Sequence, residues 1–477
     1  MRHYYTADQI RAAEAPLLAG LPDGALMRRA AGGLATAAAA ELRRRTGGVA
    51  GRSVCAVVGS GDNGGDALWA ATFLRRRGAG ACAILLVPDR THPGALAAFR
   101  KAGGRVVPAL PRGADLVIDG VVGISGSGPL RPAAAEVFAA VAAAGVPVVA
   151  VDIPSGIDVH TGAITGPAVR AALTVTFGGL KPVHALADCG RVELVDIGLD
   201  LPDTDVIGMQ AADVRSRWPM PGPRDDKYTQ GVLGILAGSA RYPGAAILCC
   251  GAAVAATSGM VRYVGAAAAE VVSHWPEVVA APTPADTGRV QAWCVGPGLG
   301  TEEDALAALT FALSTDLPVI VDADGLSLLA SNRHLIAERG APTVLTPHAG
   351  EYERFGLGPV GQDRVAAARR LSEATGATVL LKGHVTVIAE PQPIPGGLTY
   401  LSPAGASWAA TAGSGDVLSG MIGALLAAGL PAGEAAAAAD WVHGRAAIAS
   451  ALDPGPAPAP TSASRILAHI RHAIAEI

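Results

Sequence analysis

The sequence predicts an α/β protein made of two layered domains in tandem. Three observations carry that expectation. The chain has 477 residues, more than one ordinary hydrophobic core serves. Short continuous apolar runs alternate with alanine-rich stretches of helical length, the pattern of parallel strands covered on both faces. The alternation occurs twice, on either side of a stretch at 201–226 that carries Pro202, Pro219, Pro221 and Pro223 with scattered charge. The expected division is a first domain over 1–212, a linker over 213–226 and a second domain over 227–477.

In chain order, 6–46 reads as two amphipathic helices split by the turn LPDG (21–24). Strand-like runs follow: VCAVV (54–58), ACAILLV (81–87), DLVID (115–119), VPVVAVD (146–152) and LTVTF (173–177), with VELVDIG (192–198) closing the set. Stretches 66–77 and 132–144 have helical length between them. The second series is VLGILAG (232–238), WCVGPG (293–298), PVIVDADG (318–325), TVLTPH (343–348) and ATVLLKG (377–383), and VTVIAE (385–390) reads as a hairpin-like return. Helices are expected over 244–257, 301–312, 361–374 and 417–429.

Half of the residues are hydrophobic while aromatics make up 4%, so small side chains pack the helices onto the sheets. A formal charge of -4, from 37 basic and 41 acidic residues, gives no reason to expect a nucleic-acid partner or an anionic membrane surface. Six cysteines without a CxxC pair fit a reducing, cytoplasmic setting. Asp8 and Glu14 sit where a secretory leader is apolar, and no run has the length and apolarity of a membrane span. The expected partners are small-molecule substrates, and the expected assembly is a homo-oligomer.

Three loops in the first half share one chemistry. GSGDNGGD (59–66) follows an apolar strand and leads into a helix; it lacks the Lys-Ser/Thr ending of a Walker loop and the spacing of GxGxxG. Its glycines admit close backbone approach, helix-start amides hold anions, and Asp62, Asn63 and Asp66 add hard oxygens suited to a hydroxyl or a cation. DGVVGISGSG (119–128) and DIPSGID (152–158) repeat the pairing of glycine with carboxylate at two more strand ends. Each loop alone reads equally well as a βα turn with a helix-capping Asp or Ser. Together they converge, because the carboxyl ends of parallel strands meet at one crevice.

These motifs resemble the N-terminal NAD(P)HX epimerase domain of bifunctional NAD(P)H-hydrate repair enzymes, over about 1–212. The resemblance implies a Rossmann-like three-layer αβα domain that epimerises the hydrated C6 of a damaged nicotinamide cofactor and binds potassium. It implies K+ ligands at Asn63, Asp119 and Ser155. Substrate contacts are implied at Asp62, Asn63, Gly64, Gly65 and Asp66, along the loop Gly123, Ile124, Ser125, Gly126, Ser127, Gly128 and Pro129, and at Asp152. Asp152 is the residue chosen to handle the proton. Asp62 and Ala67 stand where that family often has asparagine and glycine.

In the second half, TAGSGDVLSG (411–420) joins a glycine-rich turn to an apolar helix, with Asp416 at its opening. Amides over 413–416 suit the charge of a transferred phosphoryl group, and the carboxylate suits acceptance of a hydroxyl proton. Helix capping is the plainer reading, but it does not ask for both Gly413 and Gly415. LKGHVTVI (381–388) offers Lys382 and Thr386, TPHAGE (346–351) offers His348 and Glu351, and VDADG (321–325) offers Asp322 or Asp324 near magnesium. No HExxH pattern or Cys/His cluster points to zinc.

With ARYPGAA (240–246), ATSGMV (256–261) and VGPGLG (295–300), these stretches resemble the ADP-dependent NAD(P)HX dehydratase domain, over about 227–477. The resemblance implies a ribokinase-like α/β fold that uses ADP and Mg2+. Nucleotide contacts are implied at Lys382, Gly383, His384, Val385, Thr386 and Gly415, with Gly413 bordering the transferred phosphate. Hydrate contacts are implied at Ala245 or Ala246, Gly298, His348 and Asp416, the last as catalytic base. SPAGASW (402–408) departs from the family, with Ala404 and Ser407 in an ordinarily asparagine-rich lead. The reading is repair of hydrated cofactor, by epimerisation of R- and S-NAD(P)HX and ADP-driven dehydration of the S form. The alternatives are a small-alcohol kinase of the ribokinase superfamily with an N-terminal ligand-binding domain, and a cofactor-binding protein without catalysis.

Overall fold

The computed structural model describes residues 1–124, 126, 128–391, 397–403 and 407–477. Ser125 and Ser127 of the substrate loop and Ala404 lie outside the described residues. Its contacts divide the chain into one compact unit over His3–Thr204 and another over Asp205–Ile477 with Met1–Arg2.

The first unit is built on seven strands, all parallel, in the spatial order Arg105–Val106, Gly80–Leu85, Ser53–Val58, Leu116–Gly120, Val148–Val151, Leu173–Phe177 and Arg191–Val195. The central runs carry no polar alternation because both faces are covered: Val54 to Val58 and Leu116 to Gly120 are all buried. The chain runs outward from Ser53–Val58 to one edge, then returns to Leu116–Gly120 and runs to the other. The order therefore reverses between those two strands, and a crevice opens at their carboxyl ends. The loops 59–66 and 119–128 follow these two strands.

The glycines of these loops are explained chiefly by the protein itself. A Cβ on Gly59 would meet Val121 O at 2.1 Å, one on Gly64 would meet Gly59 O at 2.5 Å, and one on Gly120 would meet Ala67 Cβ at 2.4 Å. Gly64 and Gly65 are buried within the helix Asp62–Arg76, and Gly61, the residue before it, has open space beside it.

The second unit holds a mixed sheet. From Val206–Gly208 it runs through Thr399–Ser402, Thr386–Ala389, Thr378–Leu381, Thr343–Leu345, Val319–Val321, Ala292–Val295, Val232–Leu236 and Met260–Val264 to Val279–Ala280. The return Thr386–Ala389 is antiparallel to both neighbours, and the pairs from Thr378–Leu381 to Val279–Ala280 are parallel. Here the reversal lies between Val232–Leu236 and Ala292–Val295, so 237–246 and 296–300 flank the crevice.

The helix Ser414–Ala427 packs onto Pro243–Ala256 at backbone distance: a Cβ on Gly420 would lie 2.1 Å from Cys249 O. The helix Ala432–Leu452 is buried almost all round, which its lack of an apolar stripe permits. The stretch 213–226 is only partly a connection. It contains most of the helix Ala211–Arg217, whose Val214 is buried, followed by Trp218, which donates Nε1–H to Ala256 O at 3.0 Å. Burial of that indole belongs to the second unit's core, and scattered charge and proline hid it.

Candidate functional site

In the first unit Asp152 follows the strand Val148–Val151 and is 3% exposed. Its φ of 66° is a left-handed conformation that a non-glycine residue keeps only where its surroundings enforce it. Those surroundings are visible. Asp152 Oδ1 accepts from Lys181 Nζ at 2.5 Å and from Thr176 Oγ1 at 2.8 Å, and its carbonyl meets His184 Nε2 at 2.8 Å. Lys181 N–H donates to His184 Nδ1 at 2.9 Å, which leaves the imidazole proton on Nε2, facing that carbonyl. Burial, then the neighbouring Lys181 ammonium, lowers His184 to about 4, so the ring is neutral at pH 7.

Burial pushes the Asp152 carboxyl up, but Lys181 outweighs it and holds the group below its ordinary range. Among the described residues Asp152 Oδ2 has no hydrogen-bond partner. Asp152 lines a cavity of about 300 Å³ whose polar lining includes Glu14, Asp62, Asn63, Asp66 and Lys181, with Ile124 at the wall. Lys181, Thr176 and His184 were missed in the sequence. The available signal was a lysine in the apolar stretch GGLKPVH directly after a strand.

Of the oxygen set Asn63, Asp119 and Ser155, the last two are joined directly, and Asn63 sits against Val151 and Gly123. Ser155 Oγ donates to Asp119 Oδ1 at 2.7 Å and Ser155 N–H to Asp119 Oδ2 at 2.8 Å. Asn63 Nδ2 donates to Val151 O at 2.7 Å, and its oxygen lies 2.2 Å from where a Cβ on Gly123 would be. Asp119 is fully buried, and burial lifts its carboxyl to about 6 against the hydrogen bonds from Ser155 and Val121. Gly123→Ala is expected to push Asn63 aside, costing ~1–3 kcal/mol of stability in the first unit and most of the activity of its crevice. A urea melt and an assay of that crevice on the same variant check both.

In the second unit, Asp322, His348 and Lys382 follow three adjacent parallel strands, and Asp416 opens the helix across from them. Lys382 Nζ donates to Asp322 Oδ1 at 2.8 Å and lies 3.8 Å from Glu351 Oε2. Ser419 Oγ donates to Asp322 Oδ2 at 2.7 Å. Burial, then the charge of Asp322, lifts Asp416 to about 7, with Lys382 pulling the other way. Gly413 caps the helix at φ 83°, and a Cβ on Gly415 would sit 3.5 Å from Lys382 Nζ. Gly298, at φ 62°, lies so near Ala245 that a Cβ would meet Ala245 Cβ at 2.6 Å.

His348 serves as the N-cap of Ala349–Glu353, accepting at Nδ1 from the amides of Gly350 and Glu351, with more than half of its side chain exposed. The 382–386 stretch divides. Gly383 and His384 are exposed, whereas Val385 and Thr386 are buried and the Thr386 hydroxyl is taken by Asp440 at 3.0 Å. Thr386 begins a strand whose four residues are all buried.

Each crevice gathers carboxylates around one lysine, Lys181 buried in the first and Lys382 partly exposed in the second. Residues 23–183 match the family of YjeF-related protein N-termini, and residues 233–469 match the NAD(P)H-hydrate dehydratase family. The bifunctional NAD(P)H-hydrate repair enzyme Nnr of Mycobacterium tuberculosis is 75% identical over 477 residues, covering 100% of both chains. Its counterpart in Corynebacterium glutamicum is 38% identical over 507 residues, covering 90% of this chain and 87% of that one. A ribokinase-like superfamily protein from Enterococcus faecalis, 21% identical, covers 58% of this chain and 98% of its own with a TM-score of 0.50, a likeness of fold. With both domain families matched in order and full-length relatives at this identity, the chain belongs to the bifunctional NAD(P)H-hydrate repair enzymes.

Proposed function

We propose that the crevice around Asp152 epimerises NAD(P)HX at C6 and that the crevice around Asp416 carries out the ADP-driven dehydration of the S form. The chain as a whole acts as NAD(P)H-hydrate epimerase and ADP-dependent dehydratase, as membership of this family implies.

In the second crevice the observation that carries the assignment is Asp416, a largely buried carboxyl poised at about 7 beside Lys382 and the glycine turn. A base titrating near the working pH takes a hydroxyl proton most effectively. Asp416 removes the C6 hydroxyl proton as that oxygen attacks the terminal phosphorus of ADP, and AMP departs. The amides over 413–416 hold the charge that builds on the phosphoryl oxygens, and Lys382, anchored by Asp322, adds its positive charge. Phosphate then leaves C6 with the C–O electron pair while C5 loses a proton, which restores the dihydronicotinamide double bond.

The Mg2+ expectation fits poorly. Both Asp322 oxygens are already engaged, by Lys382 and Ser419, and Asp324 Oδ2 accepts from Gly300 N–H at 2.8 Å.

A monovalent cation fits the first unit better. Asp119 is buried and receives hydrogen bonds only from neutral donors among the described residues, so Asn63, Asp119 and Ser155 would hold K+, whose charge would balance the carboxylate. Among the described residues no group of three or more His, Cys, Asp or Glu side chains gathers as a metal cluster, and no helix is long and apolar enough to cross a membrane. In the same crevice, Lys181 keeps Asp152 ionised so that its free Oδ2 can take a proton from the hydrate or from water. His184 and Thr176 hold that carboxylate in place.

The test is the full chain with a mixture of R- and S-NADHX and ADP. Dihydronicotinamide absorbance is expected to return in full, with one AMP and one phosphate per turnover, at a rate that climbs with pH through about 7 as Asp416 loses its proton. A phosphorylated small alcohol without hydrate turnover would favour the kinase alternative, and hydrate binding without turnover the non-catalytic one.

A further inference from the structure

Asp66 has no part in the chemistry above, yet it occupies the same cavity. It lies on the first turns of the helix Asp62–Arg76, is 7% exposed, and lines the cavity together with Asp152. Among the described residues, Asp66 Oδ1 has no hydrogen-bond partner, and neither does Asp152 Oδ2. A buried carboxyl oxygen left unpaired is costly, and two such oxygens on residues that line one ligand-sized cavity are more readily kept for a ligand than for the fold.

The surroundings of the two carboxyls are opposite. Asp152 holds Lys181 and Thr176, whereas no hydrogen bond or ion pair to a cation is found for Asp66 among the described contacts. The groups facing Asp66 are Glu14 from the helix Ala7–Gly20, Asp62 on its own helix, Asp152 at the strand end with Lys181 behind it, and His92 at the cavity wall. Two carboxyls in one crevice whose surroundings push them apart mark an acid and a base.

Resting on the reading of this crevice as the epimerisation site, we propose that Asp66 is a second catalytic residue, the proton donor that works with Asp152 as acceptor. Asp66 gives its proton to the C6 hydroxyl as the C6–O bond breaks. The electron pair leaves with oxygen as water, and the ring nitrogen's lone pair forms the C6=N1 iminium bond. Water adds to the opposite face of C6 and yields its proton to Asp152. Transfer of that proton back to Asp66 through the crevice restores the starting state, with no net gain or loss of atoms or electrons. Burial, then the charges of Asp152, Asp62 and Glu14, holds the Asp66 carboxyl well above the usual carboxylate range, so the proton is available at neutral pH.

The experiment compares Asp66→Asn with wild type in the full chain, following R-to-S conversion by a chiral separation without ADP, with ADP-driven turnover of pure S-NADHX as the control on the other unit. The expected result is an epimerisation kcat lowered ~100-fold with KM within a few-fold, and loss of the alkaline fall that wild type shows as Asp66 ionises. A variant that retains a third or more of wild-type kcat, or that changes KM alone, overturns the role of Asp66 while leaving the crevice's function standing. A wild type that interconverts no epimers brings down both. If Asp66→Asn does not fold, wild-type protein labelled with [4-13C]aspartate is read by infrared spectroscopy at about pH 8, above the ordinary aspartate range. A protonated aspartyl band that persists there in wild type and in Asp416→Asn alike supports the proposal, and its absence from both refutes it.

Discussion

Asp416→Asn is expected to lower ADP-driven dehydration by ~10³-fold while R-to-S epimerisation continues at the wild-type rate. The amide keeps the size and place of the carboxyl but takes no proton from the C6 hydroxyl. Substrate still binds through the glycine turn and Lys382, so the loss falls on kcat. The same substitution is expected to raise the melting temperature of the second unit at about pH 8 by a few degrees. The sign follows from linkage: the folded carboxyl titrates at about 7, above its ordinary value. Between the unfolded and the folded value the native state therefore binds more protons, and stability declines as pH rises through that window. Asparagine removes the penalty, so the gain is full above about 7 and vanishes once pH falls below the unfolded value. A variant that is less active and no more stable would mean that Asp416 is not the strained base assigned here.

Lys181→Met is expected to have the largest effect on the first unit. The lysine is 1% exposed and its ammonium meets Asp152 at 2.5 Å. Removing one partner of a buried pair leaves an uncompensated charge, at a cost of ~3–5 kcal/mol. Asp152 then takes up a proton, the acceptor is lost, and epimerisation is expected to fall ~100-fold or more. Urea denaturation of the single and the Lys181→Met/Asp152→Asn double variant separates the two effects. The double variant is expected to recover much of the stability and none of the activity. Equal stability of the single variant and wild type would show that the pair is not the anchor of this crevice.

Much of this architecture is legible in the sequence, because parallel strands buried on both faces read as unbroken apolar runs. VCAVV, LTVTF and VLGIL are strands for that reason. The return strand at Thr386–Ala389 is legible too, since the short KGHV connection after LL leaves no room for a crossover helix. Others are not. Met260–Val264 carries an arginine in its middle, Val206–Gly208 is three residues beside charged ones, Thr399–Ser402 carries hydroxyls on three of its four residues, and Arg105–Val106 and Val279–Ala280 are exposed pairs of residues. The helix Ala432–Leu452 lacks a stripe to find, because alanine fills all of its faces.

The sites divide along the same physical line. Carboxylates and glycines at strand ends announce themselves by type and place, so Asp119, Asp152 and Asp416 could be named in advance. Lys181 could not, since lysine is almost always a surface residue and only the fold buries it against Asp152. Nor could the sequence reveal that Gly59, Gly64 and Gly120 make room chiefly for neighbouring loops, or that the Thr386 hydroxyl is already taken by Asp440.

Asn63 shows what such a scaffold does to chemical choice. Its amide nitrogen is fastened to the carbonyl of Val151, and Gly123, by lacking a Cβ, leaves space for the whole amide head. Turned over, the side chain would set its oxygen against the carbonyl oxygen of Val151. An aspartate would repel that rear carbonyl in either orientation. The polarity that Asn63 presents to the cavity it lines is thus decided by the wall, and the neutral amide is selected from behind.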